Sequence, residues 1–167
     1  IFCNRKRDVD IVCKSLNKHG IKASRLHGDM PQPARTETLA KFKSGEITLL
    51  VCSDVAARGL DIPDMSHVIN FDVPIHAEDY VHRIGLTGRA GRQGHAFTIA
   101  TAEDSEYLAA IKEMAGNEIP RHDLDGNAMV SPKSVDKGAP KAKEEARDGD
   151  AKIINPPNHP KVLYPKP

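Results

Sequence analysis

Short apolar runs alternate along the chain with longer segments in which apolar residues recur at helical spacing. The apolar runs lie at residues 1–3, 23–26, 49–52, 68–71 and 96–100. Runs of this length are typical of strands buried on both faces of a sheet. Because such strands alternate here with helical segments, the pattern predicts an α/β fold with a parallel sheet flanked by helices.

The helical segments follow the strands in order. The clearest is 7–19, which carries an apolar stripe and is followed by Gly20 as a stop signal. The other helical segments are 33–43, 77–84 and 103–114. Right-handed crossovers between parallel strands place the loops that follow the strands at the carboxyl edge of the sheet, where open α/β folds bind ligands.

Four polar loops begin at predicted strand ends and are therefore expected at this edge. They start at Asn4, His27, Ser53 and Asp72. Beyond residue 120 the composition changes to prolines mixed with charges of both signs, with few periodic apolar residues. We therefore predict one domain over 1–120 and a disordered tail over 121–167, more typical of a solvated linker than of an RNA-binding arm.

Composition narrows the class of protein. The 167 residues suffice for one core, and 24 Lys and Arg against 23 Asp and Glu leave a net charge of +1, so any affinity for nucleic acid must come from a local patch. No run reaches the roughly 20 apolar residues that span a bilayer. Three cysteines without a close pair indicate reduced thiols and a cytoplasmic protein. The abrupt apolar start at Ile1 indicates a fragment.

Arginines alternate with glycines in the segment 82–92. Arg83, Arg89 and Arg92 can present planar, permanently charged groups to phosphate oxygens, while the glycines allow unusual backbone angles. This pattern favours a phosphate site over the alternative of a solvated basic loop.

Four segments in fixed order carry a family resemblance. They are Ile1-Phe2-Cys3-Asn4, Leu26-His27-Gly28-Asp29 with Gln32 and Arg35, Ser53-Asp54-Val55-Ala56-Ala57-Arg58-Gly59-Leu60-Asp61, and the segment 82–92. Together they closely resemble the C-terminal, second RecA-like domain of bacterial DEAD-box ATP-dependent RNA helicases, within superfamily 2. The resemblance extends from Ile1 to about residue 120 and implies a three-layer RecA-like sheet.

The resemblance implies an RNA-backbone site at the sheet edge. Its expected residues are Asn4, Arg5, Gly28, Asp29, Arg35, Ser53 and Asp54. Alternatives remain open for some of them: Ser53 and Asp54 are also typical helix caps, and exposed Arg5 and Arg35 could simply be solvated. Since phosphate and ribose contacts do not read bases, we expect RNA binding with little sequence preference.

The resemblance also implies half of an ATP site. Its expected ATP-binding residues are Gly59, Asp61, Arg83 and Arg89, with Arg89 and His82 in catalytic roles and Arg58 and His82 at the contact between domains. Asp61 is expected to accept a hydrogen bond from the nucleotide ribose. The alternative for Arg58 and Asp61 is a surface ion pair of little consequence.

Cofactors and partners follow from the same resemblance. The chain lacks a phosphate-cradling Gly-x-x-x-x-Gly-Lys-Ser/Thr loop, so we expect ATP and Mg²⁺ to be held by a missing N-terminal RecA-like domain and the isolated chain to be inactive. The histidines are scattered, so we expect no metal site here. Because no apolar run is long enough to span a bilayer, we also expect no membrane partner.

One position departs from the family pattern. The pattern is His-Arg-x-Gly-Arg-x-Gly-Arg, and this chain has Leu86 in place of the middle arginine. A leucine cannot neutralise charge on a transferred phosphoryl group, so we expect impaired ATP hydrolysis with RNA contacts retained.

Two other functions fit the sequence and a third does not. A non-catalytic RNA-binding or scaffold module is favoured by Leu86. A DNA helicase of the same superfamily also fits the pattern. A dinucleotide-dependent enzyme does not, because Gly88, Gly91 and Gly94 have the wrong spacing and follow a helix.

Overall fold

A computed structural model describes residues 1–58, 65–89, 91–116, 118–123 and 161–164. The elements in chain order are β1 (Phe2–Cys3), α1 (Lys6–Lys18), β2 (Ser24–Leu26), α2 (Gln32–Lys43), β3 (Leu50–Ser53), α3 (Asp54–Ala57), β4 (His67–Asn70), α4 (Ala77–Ile84), β5 (His95–Ile99), a 3₁₀ turn (Ala102–Asp104), α5 (Ser105–Ala115), β6 (Arg121–Asp123) and β7 (Lys161–Tyr164).

The strands form one sheet in the order β2-β3-β1-β4-β5-β7-β6. Every strand pairing within it is parallel, which confirms the α/β prediction. In the register of the central strands, Phe2 lies opposite both Cys52 and Asn70. Strand β1 therefore lies between β3 and β4, at the point where the chain changes direction across the sheet.

Successive residues of β1 point to opposite faces of the sheet. Both faces are apolar, and helices cover both. On one face, Cys3 and Val51 pack against Val9, Val12 and Cys13 of α1. The other face buries a cluster against which Leu39 and Phe42 of α2 pack; its members are Phe2, Leu26, Leu50, Cys52, Ala56, Ala57 and Val68. The result is the three layers expected from the sequence.

Element boundaries differ from the sequence expectations by a few residues. Helix α4 has the predicted bounds, and the strands shift by about one residue. Helix α5 begins at Ser105 because Thr101 and Asp104 first form a capping box around a 3₁₀ turn. The four-residue helix α3 was not predicted, since one turn is too short to show a helical period.

Two short segments within the predicted tail, 121–167, form strands of the sheet. Residues Arg121–Asp123 and Lys161–Tyr164 form β6 and β7, and β7 pairs with both β5 and β6. The run Lys161-Val162-Leu163-Tyr164 is rich in residues that favour strands, and its backbone pairs with the edge of β5 that β4 leaves open. The rest of the predicted tail, residues 124–160 and 165–167, lies outside the described residues.

Candidate functional site

A buried arginine organises the carboxyl edge of the sheet. Arg83, on α4, is 1% exposed. It donates from Nε and Nη2 to the two carboxylate oxygens of Asp54 at 2.6 and 2.7 Å. Its remaining bonds run from Nη1 to Asn70 Oδ1 and the Asp72 carbonyl, at 3.3 and 3.2 Å, and from Nη2 to Asn4 Oδ1 at 2.7 Å.

These contacts use all five N–H donors of the guanidinium. The cation also lies 5.2 Å from the centre of the Phe2 ring, a distance at which the ring face attracts it. In this structure the side chain of Arg83 holds together the ends of β1, β3 and β4. The role of Arg83 as an ATP ligand stays a prediction.

Asn4 and Asp72 close the same network across the central strands. The Asn4 backbone N–H donates to Asp72 Oδ2 at 2.9 Å, and the Asn4 side chain donates to the Val73 carbonyl at 2.8 Å. Both connections join the loop after β1 to the loop after β4. The Asn4 side chain is thus occupied by protein groups on both its oxygen and its nitrogen.

An open groove of about 730 Å³ runs along this edge. Six of the seven predicted RNA-binding residues line it: Asn4, Arg5, Gly28, Asp29, Ser53 and Asp54. The seventh, Arg35, lies outside it on α2, where Nη1 donates to Gln32 Oε1 at 3.2 Å. The structure therefore brings together all of the predicted set except Arg35.

The chemistry of the groove suits an anion that also carries hydroxyl groups. Arg5 stands at the N-cap of the 13-residue helix α1, whose free N–H groups and dipole favour negative charge. Arg5, Lys6 and Arg58 add cationic side chains, although Lys6 Nζ lies 2.5 Å from Asp29 Oδ1.

Ser53 is a polar group in this groove that lacks a partner. It is 4% exposed, and its Oγ makes no hydrogen bond among the residues that the structure describes. Ser53 occupies the N-cap position of α3 but forms no side-chain cap bond, so the capping alternative raised for it does not account for its hydroxyl. Asp54 is likewise engaged by Arg83 and not by the helix end.

A second, smaller pocket of about 350 Å³ adjoins the groove. Its lining includes His82, Arg83 and Arg89, from the predicted ATP set, together with Leu86. Asp54, Arg58 and Asp79 line both cavities. Arg58 pairs with Asp79 at 3.1 Å. Gly59 and Asp61 lie outside the described residues.

The loop after α4 holds the remaining arginine of the predicted pair. Arg89 is exposed, and its Nε donates to the Gly85 carbonyl at 2.7 Å. Gly88 and Gly91 have φ values of 69° and 76°, a region that favours glycine, as expected from the sequence. Leu86 is half-buried and packs against the apolar cluster that contains Phe2.

Sequence reasoning missed three residues of the site. Lys6 and Asp79 are surface charges without a distinctive spacing, and neither gives a signal by itself. Asn70 does, because a polar residue within the apolar run 68–71 requires a buried partner. It has two: its side chain accepts from Arg83 and donates to Thr98 Oγ1 at 3.0 Å.

Burial shifts the pKa values of two thiols that lie behind the site. Desolvation raises the pKa of Cys3 to about 12 and that of Cys52 to about 11. On the far side of α1, the hydrogen bond from Arg25 lowers the pKa of Asp10.

Two kinds of feature are absent from the described part of the chain. No group of three or more His, Cys, Asp or Glu side chains there is placed to hold a metal ion. Among the same residues, none of the helices has the length and apolar character needed to cross a bilayer.

Comparisons with known proteins agree with this geometry. The profile of the helicase conserved C-terminal domain family matches residues 1–91. The ATP-dependent RNA helicase RhlB of Vibrio vulnificus strain YJ016 is 40% identical over 163 residues, covering 93% of this chain. The chain spans only 38% of the length of that relative.

Two solved structures show the same fold. Domain 2 of the DEAD-box helicase Mss116p, bound to an RNA duplex, has a TM-score of 0.64 at 28% identity and covers 70% of this chain and 46% of that one. Dbp5 of S. cerevisiae, bound to RNA and ADP BeF3, has a TM-score of 0.65 at 34% identity and covers 69% of this chain and 31% of that one. This chain belongs to the helicase conserved C-terminal domain family, and its fold is the C-terminal RecA-like domain of DEAD-box RNA helicases.

Proposed function

We propose that this chain is the C-terminal half of an ATP-dependent RNA helicase, an ATP hydrolase, that binds the RNA backbone and completes an ATP site with an N-terminal RecA-like domain. The observation that carries the proposal is the wall shared by the two cavities. Asp54, Arg58 and Asp79 border both the groove that holds the expected RNA residues and the pocket that holds His82 and Arg89.

The groove supports the RNA part of the proposal. A helix N-terminus, the cations Arg5 and Lys6 and the unpartnered Ser53 hydroxyl all suit phosphate and ribose oxygens. The described groove residues include no Phe, Tyr or Trp side chain for base stacking. Binding through the backbone then carries little sequence preference. The relative Mss116p, whose domain 2 was solved with an RNA duplex, gives independent support for such a contact.

The smaller pocket supports the nucleotide part. Arg58, His82 and Arg89 supply cationic or protonatable donors, which fit the phosphate end of ATP. When bound, ATP supplies the phosphoryl group that is transferred to water. In this scheme Arg89 neutralises charge on that group, His82 and Arg58 contact the partner domain, and Gly59 and Asp61 hold the nucleotide.

The partner domain completes the scheme. It holds Mg²⁺ and the phosphate-cradling loop that this sequence lacks, so the isolated chain does not hydrolyse ATP. The reduced thiols Cys3, Cys13 and Cys52 fit a cytoplasmic location without a membrane partner.

Leu86 favours a second candidate function. It lines the nucleotide pocket beside Arg89 but presents an apolar side chain where an arginine would present charge. Hydrolysis is impaired in consequence, and a protein that binds RNA without turning over ATP would be a scaffold module derived from a helicase. RNA-stimulated ATPase activity of the full-length protein separates the two, because a scaffold gives no stimulation.

The RNA part can be tested directly on this chain. Fluorescence anisotropy with a labelled single-stranded RNA should show binding that weakens as salt rises, since counterions are released from the backbone. Arg5→Gln should weaken binding and reduce the salt slope by about 0.7, the contribution of one neutralised phosphate on a single strand.

Arg25→Gln is the matched control for this test. It removes an arginine that pairs with Asp10 outside the groove, and should leave RNA affinity unchanged. Equal loss of affinity in both variants, or no binding by the unmodified chain, would reject the proposed RNA groove. If the chain binds single-stranded DNA of the same sequence as tightly as the RNA, the result would support the DNA-helicase alternative.

A further inference from the structure

Helix α1 carries a stripe of mainly cationic side chains on the face that points away from the sheet. The members of this α1 stripe recur at intervals of four, three and four residues: Arg7, Ile11, Lys14 and Lys18. At this spacing the four side chains lie within an arc of about 60° around the helix. All four are exposed, whereas the opposite face of α1 packs on the sheet.

The two lysines of the α1 stripe have no acidic partner in the part of the chain that the structure describes. Neither Lys14 nor Lys18 forms an ion pair there. Asp10 lies four residues before Lys14, the spacing of a helical ion pair. Its carboxylate instead contacts Arg25 and, at 3.5 Å, His27 Nε2. Since the whole chain has a net charge of only +1, the stripe is a local concentration of positive charge.

The α1 stripe begins next to the RNA groove. Arg5 and Lys6, at the N-terminal end of the helix, line the groove. Arg7 is the next residue, and its Nε lies 3.7 Å from Asp8 Oδ1. From Arg7 to Lys18 the helix carries the stripe for about 16 Å away from the carboxyl edge of the sheet. A polyanion that occupies the groove can therefore continue along the same helix.

We propose that the α1 stripe is a second contact surface for RNA, which binds the backbone of a strand that extends beyond the groove. This inference rests on the proposed function. Phosphates along a flexible single strand can meet successive lysines without any contact to the bases. An acidic protein would also match the charge, but the continuity of the stripe with the groove favours RNA.

The test compares two lengths of single-stranded oligouridine in anisotropy titrations of this chain. The short RNA, of about 6 nucleotides, can occupy the groove, and the long RNA, of about 20 nucleotides, can also reach along α1. Lys14→Gln combined with Lys18→Gln should weaken binding of the long RNA at least fivefold. It should also reduce the salt slope by about 1.4, the contribution of two phosphates on a single strand. The affinity for the short RNA should not change.

Lys41→Gln combined with Lys43→Gln is the matched control. It removes the same charge from the last turn of a helix, but α2 packs on the opposite face of the sheet. At a temperature where circular dichroism shows all variants folded, the control should bind both RNAs like the unmodified chain. If the two double variants lose the same affinity for the long RNA, or if neither loses any, the proposal is overturned.

A gain of affinity complements these losses, because partial unfolding cannot produce it. Ile11 is 55% exposed, and Ile11→Arg places another cation between Arg7 and Lys14. This variant should bind the long RNA at least twofold more tightly, with a salt slope larger by about 0.7. Met114→Arg makes the same change at an exposed residue of α5, outside both cavities, and should alter neither quantity. Equal gains in the two variants would overturn the proposal.

A polyglutamate peptide tests the acidic-protein alternative. The unmodified chain should bind this peptide much more weakly than the long RNA. If Lys14→Gln with Lys18→Gln loses affinity for the peptide but keeps its affinity for the long RNA, the surface serves an acidic partner and the proposal is overturned.

The two RNA lengths also separate this inference from the proposed function. If the short RNA does not bind but the long RNA binds through Lys14 and Lys18, the proposed groove fails while the surface on α1 holds. If the short RNA binds in the groove and the loss of both lysines does not weaken the long RNA, the groove holds while the surface on α1 fails.

Discussion

Arg83 and Asp54 form a two-pronged ion pair between residues 29 positions apart in the chain, with Nε–Oδ1 and Nη2–Oδ2 distances of 2.6 and 2.7 Å. The arginine is buried and the carboxylate is about one-fifth exposed. The pair joins α4 to the end of β3, so it connects two regions that a local sequence pattern would treat separately.

Asp54→Ala should destabilise the domain strongly. The substitution leaves a guanidinium buried without its counter-charge, a change that typically costs about 3–5 kcal/mol. Urea unfolding followed by circular dichroism measures the loss. Glu37→Gln is the control: it breaks the exposed pair with Lys41 on α2 and should hardly change the unfolding midpoint. Comparable midpoints for the two variants would show that the buried pair contributes no more than a surface pair.

Ser53→Ala should separate binding from stability. Its Oγ is buried without a partner among the described residues, so removing it takes away an unsatisfied group and should leave the unfolding free energy unchanged or slightly higher. RNA affinity should fall about fivefold, the equivalent of one hydrogen bond of about 1 kcal/mol. Anisotropy titration and urea unfolding measure the two effects.

Ser44→Ala provides the comparison for Ser53. The Ser44 hydroxyl bonds to the Lys41 carbonyl at the end of α2, away from the groove. This variant should bind RNA normally. A stable Ser53→Ala chain with unchanged RNA affinity would contradict the assignment of this hydroxyl to the RNA backbone.

The buried thiols should resist alkylation in the folded protein. Burial raises the pKa of Cys3 to about 12 and that of Cys52 to about 11, so neither forms appreciable thiolate at pH 8. Mass spectrometry after brief iodoacetamide treatment should find both unmodified in the native chain and both modified in concentrated urea. Rapid native labelling of either thiol would contradict the burial described for β1 and β3.

The same shifts fix the direction of a pH effect on stability. Because the folded chain retains thiol protons that the unfolded chain releases, the stabilisation is complete below the ordinary thiol pKa near 9 and is lost as pH rises toward about 11 to 12. Urea midpoints should therefore fall between pH 9 and pH 11. Cys52→Ala should show a smaller fall, measured as the difference between the midpoints of each protein at the two pH values.

Hydrophobic spacing predicted most of the fold because each central strand contains a short, mostly apolar run and helices such as α1 carry an apolar stripe. Helix α4 shows this well, since its buried Tyr80 and Arg83 lie three residues apart on one face. The same spacing could not reveal what Arg83 does there. Its acceptors come from loops after three different strands, and only the sheet order β3-β1-β4 brings them together.

The candidate site was predicted unevenly for a similar reason. Residues at strand ends, such as Asn4 and Ser53, line one groove because parallel strands end at one edge of the sheet. Arg35 does not line that groove, because a helix residue joins it only if α2 points that face toward it, and its role in RNA binding stays a prediction. Its spacing from Gln32 predicted a shared helix face, and the hydrogen bond between their side chains agrees with it.

Introducing an arginine at Leu86 should increase RNA-stimulated ATP hydrolysis by the full-length protein at least tenfold, about 1.4 kcal/mol of barrier. Leu86 already lines the pocket that contains Arg89, so a guanidinium from this position can reach the same cavity. The apolar stem of an arginine can keep part of the packing that Leu86 makes against the core while its charged end stays in solvent. A steady-state phosphate-release assay with saturating RNA measures the rate.

Two further variants show whether the gain comes from charge. Leu86→Gln removes the same apolar packing without adding a cation, and should not raise the rate. Arg89→Gln added to Leu86→Arg should remove most of the gain, because the gain requires the guanidiniums at positions 86 and 89 to act together on one phosphoryl group. If Leu86→Arg leaves the rate unchanged, leucine at this position does not limit hydrolysis. If the protein also shows no RNA-stimulated turnover at all, the result favours the scaffold function.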